Sequence, residues 1–356
     1  MAGSDLYTGT TGLRELVQEA PDGTTAVRLL RGKWLAERGY TRPQQLPLRQ
    51  QLEKSHREAF ADIDLLNMCL AEVGTVTQDY KMSYPGVLVL SYCWESPEHP
   101  DPRGTLLEKL APILEWYASE RAHVGLNPDF CVFVDFWSLY QGDERTEAEL
   151  AAFRRALHRM DEWYGHVGTV TLCMTALPAD WKVARTYDSR GWCFFEVMVS
   201  SLGKKATHCL NAGGFDLCFH GDLASKSDKE LAAQGKGDVH ALQGILKKMV
   251  QGFRRAPATP EVFGQLLCKT EFTKETDRPV VQELYTRVAT AILGSVESMS
   301  YSAITWGTDD FGRLSRVLGM CGRLKTLELI AVGMTAKGAE VIAAGIATNK
   351  TLKELK

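Results

Sequence analysis

From Tyr84 to about residue 212 the chain alternates short apolar runs with longer amphipathic stretches, and this alternation limits the fold more than any other feature. Val87-Leu88-Val89-Leu90, introduced by Pro85-Gly86, reads as a short strand buried on both faces. Phe130 to Val134, ending at Asp135, is a second such run, Val167 to Met174 a third, and Thr207 to Leu210 a fourth. Helices are expected between them, over Gly104 to Arg121, Thr146 to Tyr164 and Trp192 to Leu202, with Thr146 and Glu149 forming a capping box. Strands that alternate with helices need crossover connections, so the sheet should be parallel, open and covered on both faces. The fold class is α/β.

The remainder organises around that domain. Residues 1–80 read as a helical N-terminal segment, in which Ala59, Ile63, Leu66 and Leu70 share one helical face after breaks at Arg42-Pro43 and Leu46-Pro47. The α/β domain, residues 81–214, closes at Gly213-Gly214. Residues 215–298 form a mixed, mostly helical connecting region, with helices over Val239 to Phe253 and Pro279 to Leu293. From residue 299 a repeat emerges. Arg323-Leu324-Lys325-Thr326-Leu327 returns as Thr351-Leu352-Lys353-Glu354-Leu355, and 352 minus 324 gives a period of 28. One period earlier, Leu314 and Leu318 align with Ile342 and Ile346. This resembles the ribonuclease-inhibitor type of leucine-rich repeat, with a strand at Thr326 to Leu329 and a helix at Ala336 to Ala347. About one and a half repeats are expected, fewer than a stable array needs, so the array is read as truncated or vestigial.

A net charge of −3 gives no electrostatic reason to expect nucleic acid or an anionic membrane as partner. The nine cysteines are scattered, mostly in apolar runs, with no Cys-x-x-Cys pair, which suits free thiols in a reducing compartment. Met1 to Gln18 carries no signal-peptide apolar core, and no apolar stretch approaches a membrane span. A cytoplasmic location is expected. His208, Cys209, Cys218 and His220 have zinc-ligand chemistry but match no common ligand spacing, so no metal is expected. Gly235 and Gly237 do not follow a strand and make no phosphate loop.

Three stretches carry the candidate chemistry. Leu90-Ser91-Tyr92-Cys93-Trp94 ends the first strand, Asp135 to Gln141 follows the second, and Tyr187 to Glu196 opens the third helix. Ligands of open parallel sheets gather beyond the carboxyl ends of the strands, where the strand order reverses. In order and spacing, Leu90 to Trp94, Val134-Asp135 with Gln141, and Arg190-Gly191-Trp192 with Glu196 resemble the heterokaryon-incompatibility (HET) domain. The Trp192-Cys193-x-x-Glu196 spacing also resembles the Toll/interleukin-1 receptor (TIR) domain. The resemblance covers residues 84–212 and implies a TIR/flavodoxin-like sheet and a role in self-defence or cell-death signalling.

It also implies an activity, because many TIR-like domains cleave the nicotinamide–ribose bond of NAD with a glutamate at the position of Glu196. NAD would be substrate, with no resident cofactor. Nicotinamide is a cationic leaving group that needs no general acid, so one carboxylate beside the ribose could stabilise an oxocarbenium-like transition state. Trp94 or Trp192 could stack on a ring, Arg190 could pair with a phosphate, and Ser91, Asp135 and Gln141 would complete the ligand contacts. Plainer roles compete: Glu196 as a helix-terminal carboxylate paired with Arg190, Asp135 as a turn cap, Ser91 as a turn residue, and Phe194 and Phe195 as core. Two further readings stand beside NAD cleavage. One is a non-catalytic module that self-associates through the α/β domain and selects protein partners through the repeats. The other is a hydrolase using Ser91 or Cys93.

Overall fold

Val87, Leu88, Val89 and Leu90 have no exposed surface, as a central strand requires. They belong to β2 (Val87–Tyr92), where β1 is the short strand Leu30–Arg31. A computed structural model describes residues 6–41, 45–75, 84–177, 181, 185–215, 245–250 and 252–356. β2 lies between β3 (Cys131–Phe133) and β4 (Val170–Met174), and β5 (Cys209–Asn211) lies beyond β4, all four strands parallel. The order is β1-β3-β2-β4-β5. The chain therefore steps from β2 outward to β3, then returns across β2 to β4, and the order reverses beside β2.

The outermost strand corrects the expectation of a wholly parallel sheet. Leu30 pairs with Val132 in antiparallel sense. The Gly32 N–H donates to Phe130 O at 2.8 Å and the Arg28 N–H to Ser138 O at 3.0 Å, so the N-terminal segment covers an edge that would otherwise be open. That segment shares the core of the sheet, with Leu13, Leu16, Leu35, Leu52 and Leu70 in the same apolar cluster as β2. Its expected helical face is also revised. The helix begins at Ile63, which is 66% exposed, and buries Leu70 as expected, together with Leu65, Cys69 and Val73. Ala59 belongs to a separate 3-10 turn, Arg57–Ala59.

Helices Gly32–Thr41 and Thr105–His123 pair with each other, as do Met160–Gly165 and Gly191–Gly203. Right-handed crossovers put these pairs on opposite faces of the sheet. The expected helix from Thr146 to Tyr164 is two helices, Glu147–Leu157 and Met160–Gly165, separated at His158-Arg159 with neither Gly nor Pro to announce the break. Its capping box is formed: the Glu149 N–H donates to Thr146 Oγ1 at 3.2 Å and the Thr146 N–H to Glu149 Oε2 at 2.9 Å. In the connecting region, helix Asp277–Ser295 lies on Gly191–Gly203. It is tied to the domain where Arg287 and the Tyr7 hydroxyl both donate to buried Asp161. Of the helix expected over Val239 to Phe253, residues 245–250 are helical and Gly252 and Phe253 form a turn, while Gly235 and Gly237 lie outside the described residues.

The C-terminal repeat is visible as a register. In a second, parallel sheet of β6 (Ser298–Ser302), β7 (Thr326–Ile330) and β8 (Glu354–Leu355), Ser298 pairs with Thr326 and Thr326 with Glu354. Each step is 28 residues, the period of the sequence. Helices Thr308–Leu318 and Ala336–Thr348 pack side by side between the strands. Two strand–helix units and a third strand are thus present where one and a half repeats were expected. β6 escaped notice because Ser-Met-Ser-Tyr-Ser lacks leucine; only Met299 and Tyr301 turn inward. Asn349 locks the units together, its Nδ2 donating to Leu318 O and Cys321 O while its Oδ1 accepts the N–H groups of Thr351 and Leu352. No helix among the described residues is long and apolar enough to cross a membrane.

Fully buried His166 lies 3.1 Å by Nε2 from Gly9 O and accepts the Gly168 N–H at Nδ1, contacts that suit a neutral ring. Burial pushes its pKa down from 6.5 to about 4. The unfolded chain takes up a proton that the folded one refuses, so this stability is present above pH 6.5 and is lost as pH falls toward 4. Denaturant unfolding at about pH 7 and about pH 4 should show a smaller acid loss in His166→Gln than in the parent protein. Equal losses would contradict this assignment.

Candidate functional site

Successive side chains of a strand point to opposite faces, and the last two residues of β2 use this to collect the other two stretches. Ser91, fully buried, donates its hydroxyl to Glu196 Oε2, and its oxygen lies 2.5 Å from the Tyr187 hydroxyl. Tyr92 donates to Asp135 Oδ1 at 2.5 Å, and the Trp94 indole donates to Asp135 Oδ2 at 3.2 Å. The Phe136 N–H adds a third bond to Asp135, at 2.7 Å. Cys193 Sγ lies 3.3 Å from Tyr92 O. All three sequence stretches therefore meet at the carboxyl end of β2, beside the reversal in strand order.

The approach of the third stretch depends on Gly191. A Cβ there would sit 2.0 Å from the Phe272 ring, and the Gly191 N–H donates to Glu271 O at 2.9 Å. The glycine lets the connecting region close against the start of helix Gly191–Gly203, and the helix then turns Glu196 inward to Ser91. Glu196 is only 6% exposed. Burial raises its pKa well above the usual carboxylate range, the Ser91 hydrogen bond opposes that shift, and Asp135 adds to it by repulsion. Burial and Asp135 thus favour its protonated form. Half-buried Asp135 is also raised by desolvation, opposed by its bonds from Tyr92, the Phe136 N–H and Trp94.

The other expected residues are placed elsewhere. Trp192 points away from the rim and donates its indole N–H to Asp277 Oδ2 at 3.0 Å. Gln141 reaches only the backbone of Asp135, at 3.3 Å, and its own backbone is held by Gln50. Arg190 has no carboxylate partner among the described residues, so its expected pairing with Glu196 is absent there; its guanidinium lies 5.7 Å from the Trp181 ring centre. Phe195 is core, and Phe194 stacks on Phe263. Buried His208 lies against Val167 O, and no group of three metal-ligating side chains exists among the described residues; Cys218 and His220 lie outside them. Sequence reasoning missed the tyrosines. Tyr187, Tyr92 and Tyr164 build the box around the two acids, yet an isolated tyrosine beside an apolar run carries no signal of such a role.

Space and phosphate chemistry set the limits of the rim. The cleft beside Tyr92, Cys93, Lys109 and Met174 has about 30 Å³ of free volume, enough for a water-sized molecule and far below a nucleotide site. The N-terminus of helix Thr105–His123 would be the natural seat for a phosphate. Asp101 occupies it, accepting the Leu106 N–H at 2.9 Å and the Leu107 N–H at 3.0 Å. A larger hollow of about 670 Å³, lined by Val17, Arg28, Arg31, Phe60 and Ile63, flanks β1 and contains none of the expected residues.

No family model, curated protein or solved structure matches this chain.

Two variants test the geometry. An acid whose folded pKa is raised gives stability that is full below the unfolded value and is lost as pH rises through the folded one. Glu196→Gln stays neutral and can still accept from Ser91. It should melt above the parent protein at neutral and alkaline pH, with the difference vanishing below about pH 4.5; a variant less stable at every pH contradicts the neutral acid. Gly191→Ala should lose about 1–3 kcal/mol in urea unfolding through the clash with Phe272. Unchanged stability would show that the contact is not held.

Proposed function

We propose that this chain is a cytoplasmic signalling protein of the TIR/HET kind. In this reading its C-terminal units, of leucine-rich-repeat type, select a protein partner, and its α/β domain passes the signal on by self-association or recruitment. The observation that carries it is the buried, occupied rim: Glu196 is 6% exposed and takes the Ser91 hydroxyl, which Tyr187 also meets, and the cleft at the end of β2, about 30 Å³, is not lined by Glu196. A buried carboxyl engaged by Ser91 can serve as an internal tie between strand and helix without meeting a substrate. The strand order around β2 agrees with a doubly wound, flavodoxin-like domain. The parallel strands of the repeat present Ser300, Glu328 and Lys356 at equivalent positions, a polar surface suited to a protein rather than a lipid.

A second reading, NAD cleavage, is favoured by one specific observation. Glu196, Asp135 and the Trp94 indole meet at the point where α/β sheets bind ligands. The reaction would break the bond between nicotinamide nitrogen and ribose C1′, the electron pair leaving with neutral nicotinamide. Ionised Glu196 would stabilise the cation at C1′, and water would add there, losing its proton, to give ADP-ribose. This requires Glu196 to leave Ser91 and Asp101 to leave its helix end.

One experiment separates the two. Light scattering across a concentration series, with NAD measured in the same samples, should show association without NAD loss in both the parent protein and Glu196→Gln. NAD loss that Glu196→Gln abolishes would overturn the non-catalytic reading in favour of the enzyme. A strict monomer that leaves NAD intact would remove both.

A further inference from the structure

Six of the eight described cysteines lie in three pairs of neighbouring thiols, Cys69 with Cys131, Cys173 with Cys209, and Cys93 with Cys193, the last pair packed in one small buried cluster with Tyr187 and Val197. The first two pairs are sealed, with no exposed surface. The third is different in position. Cys93 forms part of the wall of the small cleft at the end of β2, and Cys193 Sγ lies 3.3 Å from the carbonyl of Tyr92, the residue just before Cys93.

We infer that Cys93 and Cys193 are an oxidisable dithiol that reacts with a small peroxide and closes as a disulfide across the candidate site. The size of the cleft selects the oxidant. About 30 Å³ admits a molecule near the size of water, so hydrogen peroxide fits and a tripeptide disulfide such as oxidised glutathione does not. The environment also assigns the roles. Cys93 lines the cleft and Cys193 does not, so a peroxide reaches Cys93 first; the Cys193 thiol and the Arg190 guanidinium also favour the Cys93 thiolate, against its burial and Asp188. Cys93 is the attacking sulfur and Cys193 the resolving one.

The chemistry balances without a further reactant. The Cys93 sulfur attacks one peroxide oxygen, the O–O bond breaks, and the departing hydroxide takes a proton to leave as water, with Cys93 a sulfenic acid. The Cys193 sulfur then attacks the Cys93 sulfur, the S–O bond breaks, and the hydroxyl leaves with the Cys193 proton as a second water. Two thiols and one peroxide become one disulfide and two waters. Cys193 stands three residues before Glu196 on the same helix, and Cys93 two residues after Ser91, so the new bond would fasten the strand end to the helix that carries Glu196.

The test uses the full chain in a Cys268→Ser background, which removes the described exposed thiol. After treatment with hydrogen peroxide, denaturation, alkylation and peptide mass mapping should find the Cys93 and Cys193 peptides joined and lighter by two hydrogens. Cys69, Cys131, Cys173 and Cys209 should all be alkylated. Oxidised glutathione should give neither the crosslink nor a mixed disulfide. With Cys193→Ser, Cys93 should persist as a sulfenic acid trapped by dimedone. Alkylation of both Cys93 and Cys193 after peroxide, equal oxidation of all three pairs, or no trapped sulfenic acid in Cys193→Ser would overturn the inference.

Discussion

The hydrogen bond from Ser91 to Glu196 joins the last turn of the central strand to a helix more than a hundred residues later, and the character of the site depends on it. Removing a carboxylate from water is costly, so the group shifts its pKa and stays protonated unless a cation or enough donors hold the charge. Among the described residues no cation pairs with Glu196, and its neighbours are the hydroxyls of Ser91 and Tyr164 and the like-charged Asp135. Neutrality is the cheaper state. The same bond ties the helix to the end of the central strand.

The scaffold explains why this meeting occurs here. Reversal of strand order beside β2 leaves the ends of β2 and β4 without a crossover above them, and loops from three parts of the chain can converge there. Asp101 fills the neighbouring helix terminus, taking the role that a phosphate takes at many such sites. On the other side, Gly191 allows Phe272 to press against the start of the helix. The connecting region thus helps set the geometry of the rim. The repeat units add a second parallel sheet whose register repeats every 28 residues.

Much of the fold was legible in the sequence, because buried parallel strands are written as continuous apolar runs and the strand–helix alternation leaves few topologies. The spans of β2 and β4 and the capping box at Thr146 were read close to where they lie. The convergence of Ser91, Asp135 and Glu196 also followed from strand-end logic. What the sequence hid depends on contacts distant in the chain. Nothing near Leu30 announces an antiparallel edge, since two residues pairing with Val132 and Cys131 leave no periodicity. β6 hides because Met299 and Tyr301 stand where Leu327 and Leu329 mark the next unit. Trp192 was misplaced because helical spacing alone does not say which face meets Asp277. The closed state of Glu196 was illegible for the same reason: it is made by Ser91 and Tyr187, and neither residue type predicts burial.

The neutral, sealed carboxyl is the claim on which the rest turns, and infrared difference spectroscopy reads it directly. Subtracting the Glu196→Gln spectrum from that of the parent protein near neutral pH should leave the carbonyl band of a protonated carboxylic acid in a dry setting. A difference containing only the paired bands of an ionised carboxylate would contradict the account and return Glu196 to the role of an available anion.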